Sequence, residues 1–371
     1  MPRASRVEWR DLSFAVAASL AVVLGAPYLG QFRGWVQEAL PGHYRGIVAA
    51  IVVVATGAAV VGAVARIRDR KLERYLLLGA ALGIAVAYAR GARTGNPDQD
   101  LVEQFHFVQY GAVTYLFHRV WRHRGDRAAL VLPLCAGLVV GILDEWFQWF
   151  VPSRVGELHD VLINAVAVIC GLLFSLGVHP PTRDAAFTGG RRPIAAGAAV
   201  VVLTAAGFVD SVHLGHEVRD PRVGTFRSRF DAAALTSAAA ARAARWPGQP
   251  PLTSPGIARE DHYLAEGQWH VQRRNEAAGG ADPWRAWHEN TILETFFAPV
   301  LDLGFRWAPE QRTAEEANAL PDRASYRSDA EPFPIVVIDR SILWAPVALI
   351  VAGLSVLGFG RTRPRSRGFA S

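Results

Sequence analysis

Polar side chains crowd the junction of two apolar runs in residues 141–171, GILDEWFQWFVPSRVGELHDVLINAVAVICG. The polar set consists of Asp144, Glu145, Gln148, Arg154, Asp160 and Asn164. Carboxylates accept hydrogen bonds or protons, and a guanidinium binds anionic groups such as phosphate through paired N–H donors. These residue types fit either the binding of an anionic group or general acid–base chemistry.

A second polar group lies upstream, in the stretch EQFHFVQYGAVTYLF over residues 103–117. Its members are Glu103, His106, Gln109 and Tyr110. Residues three or four positions apart share one face of a helix. Three pairs have this spacing: His106 with Tyr110, Glu145 with Gln148, and Asp160 with Asn164.

The elements that carry these residues are predicted to be membrane-spanning helices. A span needs about 20 mostly apolar residues, because its backbone polar groups must be satisfied within the helix. Segments that meet or approach this requirement lie at about 12–30, 46–64, 72–89, 104–121, 128–149, 159–178, 194–210 and 341–358. The predicted fold class is therefore an all-α, polytopic membrane bundle of about eight transmembrane helices.

Basic residues set the orientation of this bundle, since Lys and Arg near helix ends favour the cytoplasm. With a cytoplasmic amino terminus, the inside segments carry 19 Lys and Arg residues and the short outside loops carry five. We therefore predict both termini in the cytoplasm. Topology accounts for the net charge of +6, and no nucleic-acid partner is predicted.

This topology brings the polar side chains to one depth, near the outer headgroup boundary. Ionisable groups within a membrane are costly unless they pair or line a polar cavity, and they are functional by default. Two interpretations are open: packing residues that satisfy one another, or a ligand-binding site. The predicted ligand-binding residues are Glu103, His106, Tyr110, Glu145, Gln148, Arg154, Asp160 and Asn164.

The same residues resemble the pattern of the VanZ-like family of bacterial integral membrane proteins. That pattern has an acidic residue before His and Tyr on one helix, then Glu-x-x-Gln with a Pro-x-Arg loop, then Asp-x-x-x-Asn with glycines beyond. The matching residues here are Glu103, His106, Tyr110, Glu145, Gln148, Pro152, Arg154, Asp160, Asn164 and Gly171. The resemblance covers about residues 72–180.

The resemblance implies a role in the cell envelope and a place in the bacterial cytoplasmic (inner) membrane. The family is linked with reduced susceptibility to teicoplanin-type glycopeptide antibiotics, which bind cell-wall precursors outside the membrane. Together with the polar set, it favours binding of a membrane lipid or lipid-linked cell-wall precursor. An envelope-lipid-modifying enzyme, with Glu145 or His106 as general base, and an accessory subunit of a membrane complex are the alternatives.

Residues 211–340 are polar and are predicted to form a small helical extracytoplasmic domain. It separates a transmembrane bundle, residues 1–210, from the last span and basic tail, residues 341–371. Helices are predicted at 229–246, 257–278 and 282–301, and the last of them begins with Asp282 as N-cap and Pro283 at N1. Residues 333–339 either form a strand or lead into the last span. This domain could also dock a membrane-protein partner.

The candidates for chemistry in this outer segment are His213, His216, Glu217, His262, His270, His288 and Glu289. Their spacing is a weak match to a zinc site, so no metal is predicted. No GxSxG, P-loop or GxGxxG motif occurs in a fitting context, and no cofactor is predicted. The tryptophans predicted to form the core of this segment are Trp269, Trp284, Trp287 and Trp307.

Overall fold

The structure is a computed structural model that describes residues 3–91, 97–124, 126–151, 154, 156–180, 190–251, 261–280, 282–309, 311 and 325–359. The first helices are α1 (Arg3–Ala39), α2 (Tyr44–Arg66), α3 (Leu72–Gly91), α4 (Pro97–Trp121), α5 (Ala128–Gln148), α6 (Leu158–Val178) and α7 (Arg191–Phe208). The elements that follow are β1 (His216–Asp220), β2 (Gly224–Ser228), α8 (Ala232–Arg245), α9 (Asp261–Gly279), α10 (Pro283–Phe296), α11 (Ala298–Val300) and α12 (Arg340–Phe359). The all-α class of the bundle is confirmed.

Seven of the described helices are long and apolar enough to cross a membrane by length and composition: α1, α2, α3, α5, α6, α7 and α12. Their outward faces carry large apolar side chains, such as Val54, which is 69% exposed, and Leu349, which is 75% exposed. Such faces are stable only in an apolar solvent, so the chain is a multi-pass membrane protein.

The remaining predicted span, α4, is 25 residues long but is too polar to meet the same criterion. It packs against α1, α2, α3, α5 and α6 in the middle of the bundle. Its neighbours are therefore largely other helices, so much of its surface faces protein instead of lipid.

Small residues let α4, α5 and α6 approach one another closely. A Cβ atom added at Gly171 on α6 would lie 2.8 Å from the Cα atom of Gly111 on α4. A Cβ atom added at Gly141 on α5 would lie 2.9 Å from the Cβ atom of Asn164. Close backbone contact of this kind is how helices associate in membranes, and it brings the polar faces of the three helices together.

Residues 211–340, which were predicted to lie outside the cytoplasm and which we call the outer region, contain the predicted helices. Asp282 caps α10 as predicted, because its side chain accepts a hydrogen bond from the backbone N–H of Arg285 at 3.1 Å. The outer region also contains a β-hairpin that was not predicted, in which β1 and β2 are antiparallel and Val218 pairs with Phe226. Residues 333–339 lead into α12 and contribute only an isolated bridge, between Val336 and Leu214.

The core of the outer region is built mainly from phenylalanine, tyrosine and aliphatic side chains. It includes Phe226, Leu235, Tyr263, Phe297 and Trp246. The prediction of a tryptophan core was therefore wrong for Trp269, Trp287 and Trp307, which are part-exposed, while Trp284 packs at the edge. The hairpin contributes Val218 and Phe226 to this core in their place.

The outer region packs directly on the bundle. A shared core joins Ile142 and Trp149, at the end of α5, to Phe208, Phe333 and Ile335. Cys135 and Cys170 are free and buried in α5 and α6. The basic tail after residue 359 lies outside the described residues.

Candidate functional site

The polar residues of α4, α5 and α6 meet at one end of the three-helix unit. The chain direction alternates along α4, α5 and α6, so the first half of α4 lies beside the end of α5 and the start of α6. All eight predicted site residues are described, and all lie at this end. We refer to the assembly as the polar cluster, made of Glu103, His106, Tyr110, Asp144, Glu145, Gln148, Arg154, Asp160 and Asn164.

The buried floor of the polar cluster is held by side-chain hydrogen bonds between α4 and α5. Tyr110 donates from its hydroxyl to Oδ2 of Asp144 at 2.7 Å. Gln148 donates from Nε2 to Oδ2 of Asp144 at 3.2 Å and to Oε1 of Glu145 at 3.0 Å. One amide group therefore bridges two carboxylates that are both buried.

Asn164 connects all three helices. Nδ1–H of His106 on α4 donates to Oδ1 of Asn164 at 2.8 Å. The amide group of Asn164 in turn donates from Nδ2 to the backbone carbonyl of Gly141 on α5 at 3.3 Å. Because the amide nitrogen is the donor in that second bond, the Asn164 oxygen is the acceptor for the imidazole.

Further ionisable groups lie at the edge of the polar cluster, which we call the rim. It consists of Glu103, His106, Arg154 and Asp160 of the polar cluster and the neighbouring Glu157 and His159, and all of these except Glu103 are at least partly exposed. Nη2 of Arg154 donates to Oε1 of Gln148 at 2.7 Å. Oε1 of Glu103 lies 4.0 Å from Nε2 of His159, and Asp160 interacts electrostatically with His106.

The loop between α5 and α6 folds back over the end of α5. The backbone N–H of Glu157 donates to Oε2 of Glu145 at 3.4 Å, so the loop covers the buried carboxylate of the floor. A Cβ atom added at Gly156 would collide with the backbone carbonyl of Glu145. Glycine is therefore required where the loop passes over the buried carboxylate, and Glu145 is 0% exposed as a result.

Some buried polar atoms of the polar cluster have no hydrogen bond to the rest of the described chain. They are Oδ1 of Asp144, Oε1 of Glu103 and Nε of Arg154. Burying a polar atom without a partner is costly. Packing among the described residues therefore does not satisfy the hydrogen-bonding capacity of the polar cluster.

Asp144 is the main addition that the structure makes to the predicted site. It belongs to the crowded stretch of sequence but was not among the predicted ligand-binding residues. Its position four residues before Gln148 was the available signal, since that spacing places both on the face that points to α4. The resemblance did not include Asp144, so the family pattern gave no reason to select it.

The outer region reaches the polar cluster through Trp149. The imidazole of His262 stacks on the Trp149 ring with a centroid separation of 3.8 Å. The guanidinium of Arg229 lies 4.7 Å from the centroid of the same ring. Trp149 follows Gln148 directly, so the outer region contacts the residue next to the floor of the polar cluster.

The other histidines of the outer region do not assemble a metal site. Nδ1 of His270 is hydrogen-bonded to Glu289 at 2.6 Å inside the core, and Nδ1 of His213 donates to the carbonyl of Pro334 at 2.9 Å. Glu217 pairs with Arg219 on the hairpin. Within the described part of the chain, no group of three or more His, Cys, Asp or Glu side chains is arranged to hold a metal ion.

The fold and the polar cluster define the class of protein to which this chain belongs. It is a multi-pass membrane protein with a polar site at one end of three closely packed helices. Residues 84–178 match the model of the VanZ/LLP1 family. The chain therefore contains a VanZ-like domain, which runs from the middle of α3 to the end of α6 and includes every residue of the polar cluster. The helices α1, α2, α7 and α12 and the outer region lie outside the match. No curated protein and no solved structure matches the chain.

Proposed function

We propose that this protein acts in the bacterial cell envelope by binding the polar head of a membrane lipid, or of a lipid-linked cell-wall precursor, at the rim. The observation that carries the proposal is the environment of Arg154. This half-buried guanidinium donates to the neutral amide of Gln148 instead of to a carboxylate, and its Nε has no hydrogen-bond partner among the described residues. It therefore retains donors for an anionic group such as phosphate.

The floor of the polar cluster fixes the position of Arg154. Gln148 accepts from Arg154 through Oε1 and uses Nε2 to bridge Asp144 and Glu145. The orientation of the Gln148 amide is therefore fixed by hydrogen bonds at both its nitrogen and its oxygen. The oxygen that accepts from Arg154 is thus held in place. Preorganisation of this kind lowers the cost of ordering side chains when a ligand binds.

The rim also carries acidic side chains. Glu157 and Asp160 are part-exposed, and Glu103 has an oxygen without a hydrogen-bond partner among the described residues. These groups accept hydrogen bonds from hydroxyl or ammonium groups of a ligand, while Arg154 donates to its phosphate. Both kinds of group occur together in the head of a phospholipid and in a glycosylated lipid carrier.

Burial of Glu145 favours binding over the enzymatic alternative. A general base must come within hydrogen-bond reach of the proton that it removes. Glu145 is 0% exposed and is covered by Gln148 and by the backbone of Glu157. His106 donates from Nδ1 to Asn164, so Nε2 is the ring nitrogen that the enzymatic alternative would require as a base. The enzymatic alternative predicts that wild-type protein, but not Glu145→Gln, converts labelled membrane lipids into a product.

The distribution of basic residues supports an orientation in which the site faces the outside of the cell. The end of the bundle opposite the polar cluster carries Arg66, Arg70, Lys71, Arg122 and Arg124, which favour the cytoplasm. The polar cluster then faces the outside, where glycopeptide antibiotics meet their cell-wall targets. Binding a precursor there would alter access of a teicoplanin-type antibiotic to it, and both termini would be cytoplasmic.

The proposal is tested with full-length protein extracted from its native membrane. Native mass spectrometry would compare wild type with Arg154→Ala and with Arg90→Ala, which removes an exposed arginine near the same end of the bundle. We expect Arg154→Ala to lose a co-purifying phosphorylated lipid that wild type and Arg90→Ala retain. Equal lipid retention by all three proteins would contradict the proposal.

A further inference from the structure

A second concave surface, which we call the groove, lies between α2, α3, α4 and α6 and has a volume of about 700 Å³. This value falls in the range of roughly 300–1,000 Å³ that is typical of ligand pockets. Both α2 and α3 pack against α4 and α6, and the groove lies between them. Its lining is mostly apolar and includes Val52, Ala55, Ala59, Ala85, Phe107 and Phe174, together with the polar side chains of Thr56, Gln104 and Arg66.

The groove needs a hydrocarbon occupant because of where it lies. Three of its wall helices, α2, α3 and α6, are apolar enough to cross a membrane, and the fourth, α4, packs among the helices of the bundle. Carbon atoms that line an empty space lose dispersion contacts on one side, so an unfilled groove of this size is unfavourable. Alanines at positions 55, 59 and 85 leave room that larger side chains would take up.

One end of the groove is basic. Arg66, the last residue of α2, lines this end together with Tyr115 and Val178. Nη1 of Arg66 donates to the backbone carbonyl of Gly62 at 3.2 Å, and the side chain is exposed. The hydroxyl of Tyr115 lies 3.2 Å from Nε2 of His179, and their rings stack.

The residues around His179 show that this end of the groove is positively charged. His179 follows α6, and burial first, then electrostatic repulsion from Arg122, His118, Arg119 and Arg66, lowers its pKa to about 4. Arg119 is paired with Asp11 at 2.7 Å. Arg66 is the positive charge that lines this end of the groove.

We propose that the groove binds an acyl chain of an anionic phospholipid whose phosphate is held by Arg66. Charge complementarity selects this occupant: the walls accept hydrocarbon, and the end that carries Arg66 accepts an anion. Arg66 is at the end of the bundle opposite the polar cluster, because α2 ends where α4 ends. The groove is therefore a lipid site distinct from the rim and does not depend on the function proposed for it.

The test is a titration of full-length protein in detergent, followed by native mass spectrometry, with two probes. One is phosphatidylglycerol, and the other is diacylglycerol with the same acyl chains and no phosphate. Removing a charge-assisted contact weakens binding by about tenfold or more. We expect Arg66→Gln to weaken phosphatidylglycerol binding by that amount and to leave diacylglycerol binding unchanged. Ala85→Leu, which fills the groove, should weaken binding of both lipids.

Two matched variants serve as controls. Arg68→Gln removes an exposed arginine that does not line the groove, and Ala80→Leu enlarges an exposed position of α3 that also lies outside it. Both should bind like wild type. Repeating the comparison of wild type with Arg66→Gln in an Arg154→Ala background removes any contribution of the rim to phosphatidylglycerol binding, and the loss caused by Arg66→Gln should persist there. Unchanged phosphatidylglycerol binding in Arg66→Gln would overturn the proposal. An equal loss in Ala80→Leu and Ala85→Leu would overturn it too.

Discussion

The hydroxyl of Tyr110 donates a 2.7 Å hydrogen bond to the carboxylate of Asp144 and thereby ties α4 to α5 inside the bundle. Both side chains are buried, and Asp144 also accepts from Gln148. The bond links the helix that carries His106 to the helix that carries Glu145. It therefore holds the floor of the polar cluster together and, through Gln148, supports the position of Arg154.

Tyr110→Phe is predicted to destabilise the protein by about 1–3 kcal/mol, the usual cost of leaving a buried acceptor without its donor. Thermal unfolding of the purified protein in detergent, followed by intrinsic fluorescence, would measure the change. Tyr28→Phe removes a hydroxyl from a residue that is 60% exposed and should leave the melting temperature unchanged. Equal melting temperatures for Tyr110→Phe and wild type would mean that the bond does not contribute to stability.

Gly171→Ala is predicted to destabilise the bundle, because the new Cβ atom would lie 2.8 Å from the Cα atom of Gly111. Neither backbone can yield without separating α4 from α6, and overpacking of this kind costs about 1–3 kcal/mol. The matched control is Gly79→Ala, where nothing lies within 4 Å of the added atom. The idea fails if both variants unfold at the temperature of wild type.

The location of the polar cluster could be predicted from the sequence because it depends on simple periodicities. Helical spacing places His106 and Tyr110 on one face, and a short loop makes α5 and α6 antiparallel neighbours. Alternating chain direction then brings both groups to one end. These rules use sequence distance alone, so they hold without knowledge of any individual contact.

The division of the polar cluster into floor and rim could not be predicted in the same way. It depends on the loop that covers Glu145, and on the close approach permitted by Gly156. Both are contacts between backbone segments, which leave no periodic pattern. The hairpin of β1 and β2 was missed for a different reason: its strands, HEVRD and GTFRS, hold one large apolar residue each, so the sequence shows no alternation of apolar and polar residues.

Trp149→Ala is predicted to loosen the outer region from the bundle without unfolding either. The substitution removes the ring on which His262 stacks at 3.8 Å and over which Arg229 lies at 4.7 Å. An aromatic pair contributes about 0.5–1.5 kcal/mol and a cation–π contact about 0.5–2 kcal/mol. Hydrogen exchange should become faster in the first turns of α9. Trp35→Ala, at a residue that is 65% exposed, should leave that exchange unchanged.

The carboxyl of Glu266 is predicted to make the outer region less stable as the pH rises. It is 2% exposed on α9, and it accepts hydrogen bonds from the hydroxyl of Ser228 at 2.6 Å and the backbone N–H of Arg229 at 3.0 Å. Burial raises its pKa from 4.5 to about 7, and these hydrogen bonds and the charge of Arg229 only partly oppose the rise. Between these two pH values the folded state holds a proton that the unfolded state has released, so stability falls as the pH increases through this window.

At 1.36 kcal/mol for each pKa unit, the loss on going from pH 4.5 to above pH 7 amounts to at most about 3 kcal/mol. Glu266→Gln keeps the shape of the side chain without its charge, and should therefore unfold at a higher temperature than wild type above pH 7 and at a similar temperature below pH 4.5. The pKa of Glu289 shifts in the opposite direction to that of Glu266. Burial acts to raise the pKa of Glu289, but the charge of His270 and the hydrogen bonds from His270, Ser328 and Tyr326 outweigh burial, so the pKa is lowered. The contribution of Glu289 is present at neutral pH and is lost in acid, so Glu289→Gln should destabilise the protein at pH 8. If Glu266→Gln and wild type lost stability in parallel between pH 4.5 and pH 7, another group would have to release the proton.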